Sequence, residues 1–372
     1  MVGVIWCCFK VRCFACHDVP KVGYAYNDFR SGIPQDYILG LFPCEGPDPR
    51  QGVFFLIFCI LIFACSNEPK LKSSTITKSK IETPKFNADS AYYFVEKQVS
   101  FGPRVISSMA WEKCAIWLEK KFKTYTPNVI VQEAAITTYD GKSHTLKNVI
   151  ASFSAEKNNR IALFAHWDSR HIADHDSINK DLPILGANDG GSGVGVLLEI
   201  ARHLNYKSPN IGVDIILFDA EDYGQPENSN FPIMQNSWCL GSQHWSKSPH
   251  KANYFARYGI LLDMVGGGNA TFRHEETSRF FASNILQKVW SKASKLGFGN
   301  YFVFENAQQI IDDHYYVNTI IGIPTIDIIE YDPATKNNFN KHWHTHQDNM
   351  NNISKETLNA VGQTVLEVIY SE

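Results

Sequence analysis

The segment Gly186-Ala187-Asn188-Asp189-Gly190-Gly191-Ser192-Gly193 constrains the fold more than any other stretch of the chain. An apolar run, 161–165, comes before it and ends in His166-Trp167-Asp168. Val194, Leu197, Leu198 and Ala201 follow at helical spacing. A strand, a glycine-rich turn and a helix therefore succeed one another. The glycines let the backbone bend tightly and leave little side-chain bulk around the lone carboxylate of Asp189. Two readings are open at this point. Asp189 is either an acid set to meet an ion or a substrate at close range, or the cap of the following helix. The turn alone favours the cap, so the residues downstream must decide.

Periodicity predicts helices over 91–99, 109–122, 280–296 and 355–370, and strands over 129–138, 149–153, 161–165, 213–218, 260–265 and 325–329. In the second helix Cys114, Trp117, Leu118 and Phe122 lie near one face; in the last, Leu358, Val361, Val365 and Val368 do so. Strands alternating with helices give an α/β three-layer sandwich, a mixed and mostly parallel sheet flanked by helices. No repeat or second linker interrupts the body, so 87–372 reads as a single domain. Asp168, Asp189, Glu221 and Asp222 then fall just past strand ends, the edge where open α/β sheets bind ligands.

The ends of the chain read differently. A formal net charge of −3, with no basic patch, gives nucleic acid no purchase. All cysteines except Cys114 and Cys239 lie before position 66, and those two are expected to be free thiols in the core. Residues 1–52 lack periodicity and read as an extension from a start assigned too far upstream. Residues 53–64 are unbroken apolar sequence, short for a membrane span and suited to a signal-peptide core; a buried strand or helix is the alternative. Ile62-Phe63-Ala64-Cys65 resembles a bacterial lipoprotein processing site, which makes 53–65 signal core and lipobox and Cys65 the lipidated residue. Residues 66–86, rich in Ser, Thr and Lys, read as a flexible tether. Together these predict a protein of the bacterial cell envelope, periplasm-facing or surface-exposed, touching the membrane only through its lipid.

Asp219-Ala220-Glu221-Asp222 carries the chemistry. Adjacent carboxylates at a strand exit repel one another, and a cation resolves the repulsion. One acid can then hold the ion while its neighbour faces the substrate as a general base. A solvated acidic turn is the alternative. A catalytic zinc needs three protein ligands and an open position, which Asp189, Asp222 and His344 would supply. The tract His342, His344 and His346 also fits a plain His-rich metal tract or a solvated loop.

The order His166-Trp167-Asp168, Asn188-Asp189-Gly190, Ala220-Glu221-Asp222, Leu262-Asp263, Asp312-Asp313-His314 and His344-Thr345 resembles the zinc aminopeptidase superfamily, and within it the glutaminyl cyclases, bacterial lipoproteins included. The likeness runs from about 86 to 370. It implies one zinc ion on Asp189, Asp222 and His344, with Glu221 as general acid/base. It also implies a hydrogen-bonded acid pair, Asp263 and Asp312, beside Glu221, and a pocket wall at Trp343. Asp222 departs from the family, which often carries Glu there. The implied reaction is cyclisation of an N-terminal glutamine to pyroglutamate with loss of ammonia, on peptide or protein substrates; separately, a monomer is expected.

The same fold also hosts two-zinc aminopeptidases, whose ligand positions would be His166, Asp189, Asp222, Asp263 and His344, all occupied here. Two features favour the cyclase. Asp312 stands where aminopeptidases usually have a small polar residue, and a carboxylate there can share a proton with Asp263. Trp343 offers a flat apolar wall to an uncharged amide. A binding module that kept the fold without catalysis is the third possibility, disfavoured by Glu221. Trp238 is expected either at the pocket or in the core, Trp167 in the core or at the pocket floor, and His166 as an unused ligand position. Asp168 is expected at the site edge, and Asp327 in the shell around the ligands. The stretch holding His171, Asp174, His175 and Asp176 reads as a solvated insertion, and Tyr331-Asp332-Pro333 as a loop flanking the entrance.

Overall fold

The computed structural model describes residues 81–372. The expected extension, the signal core with Cys65 and most of the tether lie outside the described residues. The tether was expected to run to Phe86, but Phe86 is a core residue whose N–H donates to Gln363 Oε1 at 2.8 Å. Its ring covers Gly362, where a Cβ would come within 2.2 Å of it.

The helices are α1 (Ala88–Val99), α2 (Met109–Lys123), α3 (Gly191–Tyr206), α4 (Leu240–Lys247), α5 (Glu276–Lys295), α6 (Asp313–Tyr316) and α7 (Lys355–Tyr370). The strands are β1 (Val129–Thr137), β2 (Ser143–Phe153), β3 (Arg160–His166), β4 (Gly212–Phe218), β5 (Gly259–Asp263), β6 (Phe272–His274), β7 (Phe302–Asn306) and β8 (Thr325–Ile329). Six strands form one sheet in the order β1-β2-β4-β3-β5-β8, and β6 pairs with β7 apart from it. The pairs β4–β3, β3–β5 and β5–β8 are parallel, while β1–β2 and β2–β4 are antiparallel. This is the mixed sheet expected. Among the described residues no helix is long and apolar enough to cross a membrane.

Alternation along the central strands makes the three layers. Ile161, Leu163 and Ala165 face the larger core with α1, α2, α3, α5 and α7, while Ala162 and Phe164 face a smaller one under Trp245 of α4. Asn87, Ser108 and Ser354 cap α1, α2 and α7 with their side chains. The start of α3 is different: Gly190 is its cap residue and no side chain bonds there. Asp189 is therefore not a helix cap, and its carboxylate is free for other work.

The glycines of the turn earn their positions sterically. A Cβ at Gly190 would lie 2.6 Å from the His166 ring, and one at Gly193 would lie 2.2 Å from the Leu262 carbonyl oxygen. Only a bare backbone lets the start of α3 settle onto β3 and β5. Gly193→Ala should therefore destabilise the fold by about 1–3 kcal/mol. Urea unfolding monitored by far-ultraviolet circular dichroism reads this directly, and a midpoint equal to that of the parent would show that the helix has room to shift.

Candidate active site

Four chain segments deliver the acids to one place. β3 ends at His166 and β5 ends at Asp263. The turn after β4 carries Glu221 and Asp222, and Ala220 before them takes a left-handed φ of 53°. Asp312 caps α6, its carboxylate accepting from the Asp313 N–H. Asp189 arrives differently from the expectation: it closes the long β3–α3 connection instead of following a strand directly. His344 comes from the loop before α7, also at a left-handed φ, 56°. Strained backbone of this kind concentrates at functional sites.

The side chains converge closely. His344 Nε2 lies 3.2 Å from Asp222 Oδ1 and 3.7 Å from Asp189 Oδ2. His166 Nε2 lies 2.9 Å from Asp189 Oδ1 and 3.1 Å from Asp263 Oδ1. Donor atoms of Asp189, Asp222 and His344 all fall within 4.8 Å of one another, and so do those of His166, Asp189 and Asp263. Asp189 belongs to both sets. The Glu221 side chain accepts from the Cys239 thiol at 3.2 Å.

All of these groups are buried, and their acidities show the strain of it. Burial first, then the Asp222 charge, pushes Asp189 up to about 8. Burial also lifts Glu221 well above its ordinary value, with Asp222, Asp312 and Asp313 adding to the rise against the opposing pull of His166. Burial and the Asp263 charge push Asp312 up to about 6. For His344, burial favours the neutral ring, but Asp174 and Asp222 outweigh it and raise the pKa. Asp222 is the exception, because the His344 contact outweighs its burial and holds it below the carboxylate norm.

A divalent cation fits this arrangement. Asp222 Oδ2 is buried with no donor near it. Two carboxylates and an imidazole are a donor set that zinc takes, and the mutual distances leave room for an ion among them. Its charge would also reverse the unfavourable ionisation of Asp189. The His166–Asp189–Asp263 set is equally compact, so His166 stands among candidate ligands and not apart from them.

A second layer holds these groups in place, and several sequence expectations change here. Asp168 is not at the edge of the site. It lies beneath it, accepting from the backbone N–H groups of both Glu221 and Asp222 at 3.1 Å. Asp174 is not part of a solvated insertion: its Oδ1 lies 3.0 Å from His344 Nδ1, and the buried Arg170 binds both of its oxygens. His175 packs on Trp343 at 4.5 Å between ring centres, and His171 stacks on Tyr223 at 4.0 Å. Beyond the effect of burial, Asp327 lies close enough to Asp312 and Asp263 for their charges to raise its carboxyl. It sits under Asp312, 3.6 Å from His314 Nδ1. Trp167 is core, stacked on Trp111.

Three supports went unrecognised in the sequence. Asp348 accepts from the N–H groups of Asn188 and Asp189. Arg104 donates to the carbonyls of Trp167, Leu185 and Gly186, so it pins both ends of the connection that carries Asp189. Cys239 touches Glu221. Nothing in local spacing marks any of them.

Above the acids is a cavity of about 340 Å³ with Glu221, Asp312, Trp238, Phe339 and Trp343 in its walls. The His344 imidazole lies nearly parallel to two indoles, 3.6 Å from the Trp343 centre and 5.9 Å from that of Trp238. Trp238 is a wall residue, with the Arg170 guanidinium over its ring at 4.3 Å. The loop after Tyr331 does flank the cavity, through Phe339.

Residues 148–369 match Peptidase family M28. The chain belongs to this family. A Zn-dependent exopeptidase from Parabacteroides distasonis is 53% identical with a TM-score of 0.77, covering 78% of this chain and 100% of that one. A glutaminyl cyclase from Bacteroides thetaiotaomicron, solved with N-acetylhistamine, is 50% identical with a TM-score of 0.76 over the same shares. The aminopeptidase YwaD of Bacillus subtilis is 28% identical over 193 residues, which are 50% of this chain and 37% of that protein. The chain thus spans well under half of that curated relative.

Two expectations follow for the site. Asp174→Asn should weaken binding of the metal about 10–100-fold by loosening the His344 ring; competition with a fluorescent chelator measures this, and unchanged affinity would make Asp174 a bystander. Glu330, which accepts from Asn188 and Asn340, is raised by burial from 4.5 to about 7. The folded chain then holds a proton that the unfolded chain has lost, so stability falls as pH rises from about 4.5 to 7. Glu330→Gln should flatten that fall in thermal melts across the range, and an unchanged slope would assign it to other groups.

Proposed function

We propose that this M28 chain is a zinc-dependent glutaminyl-peptide cyclotransferase, converting N-terminal glutamine to pyroglutamate with release of ammonia. The observation that carries the reading is Asp312: a buried carboxyl at the cavity wall, raised to about 6 partly by the Asp263 charge. A carboxyl whose proton affinity is raised beside the Asp263 charge can share a proton with Asp263 and weaken its hold on a second ion. The indole wall of Trp343 and the likeness to the Bacteroides thetaiotaomicron cyclase support the same side.

Asp189, Asp222 and His344 would hold one zinc ion, which when bound supplies Lewis acidity toward the γ-carboxamide oxygen. The substrate side chain lies flat against Trp343, with Trp238 beyond it. Asp263 and Asp312 receive the peptide's α-amine. Glu221 takes a proton from that amine as its nitrogen bonds to the amide carbon. Glu221 then passes the proton to the departing nitrogen, which leaves as ammonia when the carbon–nitrogen bond breaks. No water enters the product, and the cavity need only fold the glutamine into the reactive geometry. We further propose attachment to the envelope through lipid on Cys65, with the chain acting as a monomer.

The two-zinc aminopeptidase is the second reading, favoured by the compact His166–Asp189–Asp263 set. Incubating the protein with a Gln-initiated and a Leu-initiated peptide separates the two. Loss of one ammonia from the first supports cyclisation, whereas free leucine from the second would overturn it. Glu221→Gln should keep the metal and lose about 10²–10⁴-fold in rate. Full activity in that variant would remove Glu221 from the chemistry.

A further inference from the structure

We infer that Glu221, Cys239 and Asp312 form a second, inhibitory cation site for a soft divalent ion. Their donor atoms lie within 4.8 Å of one another. None of the three belongs to the Asp189–Asp222–His344 set, so the two sites share no donor residue. The Cys239 sulfur sits 3.2 Å from Glu221 Oε1 and is fully buried. Its position is fixed from the backbone: the Cys239 N–H donates to the Glu221 carbonyl at 3.0 Å, and the residue takes a left-handed φ of 57°. The buried Asp312 completes the set independently, because no donor reaches its Oδ2 oxygen.

A thiolate with two carboxylates is a donor set for zinc, cadmium or cobalt, and the sulfur disfavours magnesium and calcium. Binding is an exchange. The thiol proton leaves to solvent and a sulfur–metal bond takes its place, while the two carboxylates contribute oxygen. Glu221 is then tied up and cannot accept the substrate's proton. The enzyme is thereby inhibited by an excess of the same kind of ion that its first site needs. The inhibition rests on Glu221 as the base; the binding does not.

The test uses the full chain carrying its first ion, titrated with Co²⁺. The parent should develop a sulfur-to-cobalt charge-transfer band as the second equivalent binds. Cys239→Ala should lose that band, while Cys114→Ala, which removes the other described cysteine, should keep it. Should Cys239→Ala fail to fold, Cys239→Ser keeps a side chain of similar size and offers no sulfur. The inhibitory Zn²⁺ concentration should rise about tenfold or more in either Cys239 variant, relative to that variant's own uninhibited rate. The seven cysteines before position 66 can give bands of their own, so the readout is the parent-minus-Cys239-variant difference, and a difference without a sulfur-to-cobalt band would overturn the site. So would a parent that binds no second ion. A normal band without any inhibition would leave the site standing and remove Glu221 from the role of base.

Discussion

Like charges forced together out of water are the constraint on which this structure depends. Asp189, Glu221, Asp222, Asp263 and Asp312 are all buried, with His166 and His344 in contact with them and Arg170 and His314 as further positive neighbours. Removing a carboxylate from water is costly, and removing several side by side is worse. The raised pKa of Asp189 and of Glu221 expresses that cost. A divalent cation answers it in one step, which is why the acids are best understood as one assembly.

An assembly under such tension needs a rigid frame, and the frame is made largely of backbone hydrogen bonds to second-layer acids. Asp168 grips the turn that carries Glu221 and Asp222. Asp348 grips the turn that carries Asp189. Arg104 ties both ends of the β3–α3 connection, and Asp174 steadies the far nitrogen of His344. Each support orients a group that would otherwise turn away from its neighbours. The backbone is left-handed at Ala220, Cys239 and His344, three residues beside these groups.

Cyclisation and peptide hydrolysis ask different things of one scaffold. Hydrolysis needs an activated water, and a second ion on His166 and Asp263 would serve it. Cyclisation carries its own nucleophile and needs a shaped, apolar-walled cavity beside a base. The indoles beside His344 and the raised pKa of Asp312 are the features that bear on the second demand. The difference between the two activities thus lies in a few groups around a shared ligand set.

The order of strands and helices was legible in the chain because burial repeats locally. Strand alternation at 161–165 and helical spacing at 355–370 are properties of neighbouring residues. The candidate ligands were legible too, since glycines flank Asp189 and two acids stand adjacent after β4. The short pieces were not: α4, β6 and β7 are too brief to show a period. Nor were Arg104, Asp348 and Cys239 legible, because their partners lie far along the chain and no local pattern records such pairings. The sequence alone therefore determined the layers and the candidate ligands. Only the tertiary structure decided which acids face one another, because repulsion between buried charges is set by distance in space and not by spacing along the chain.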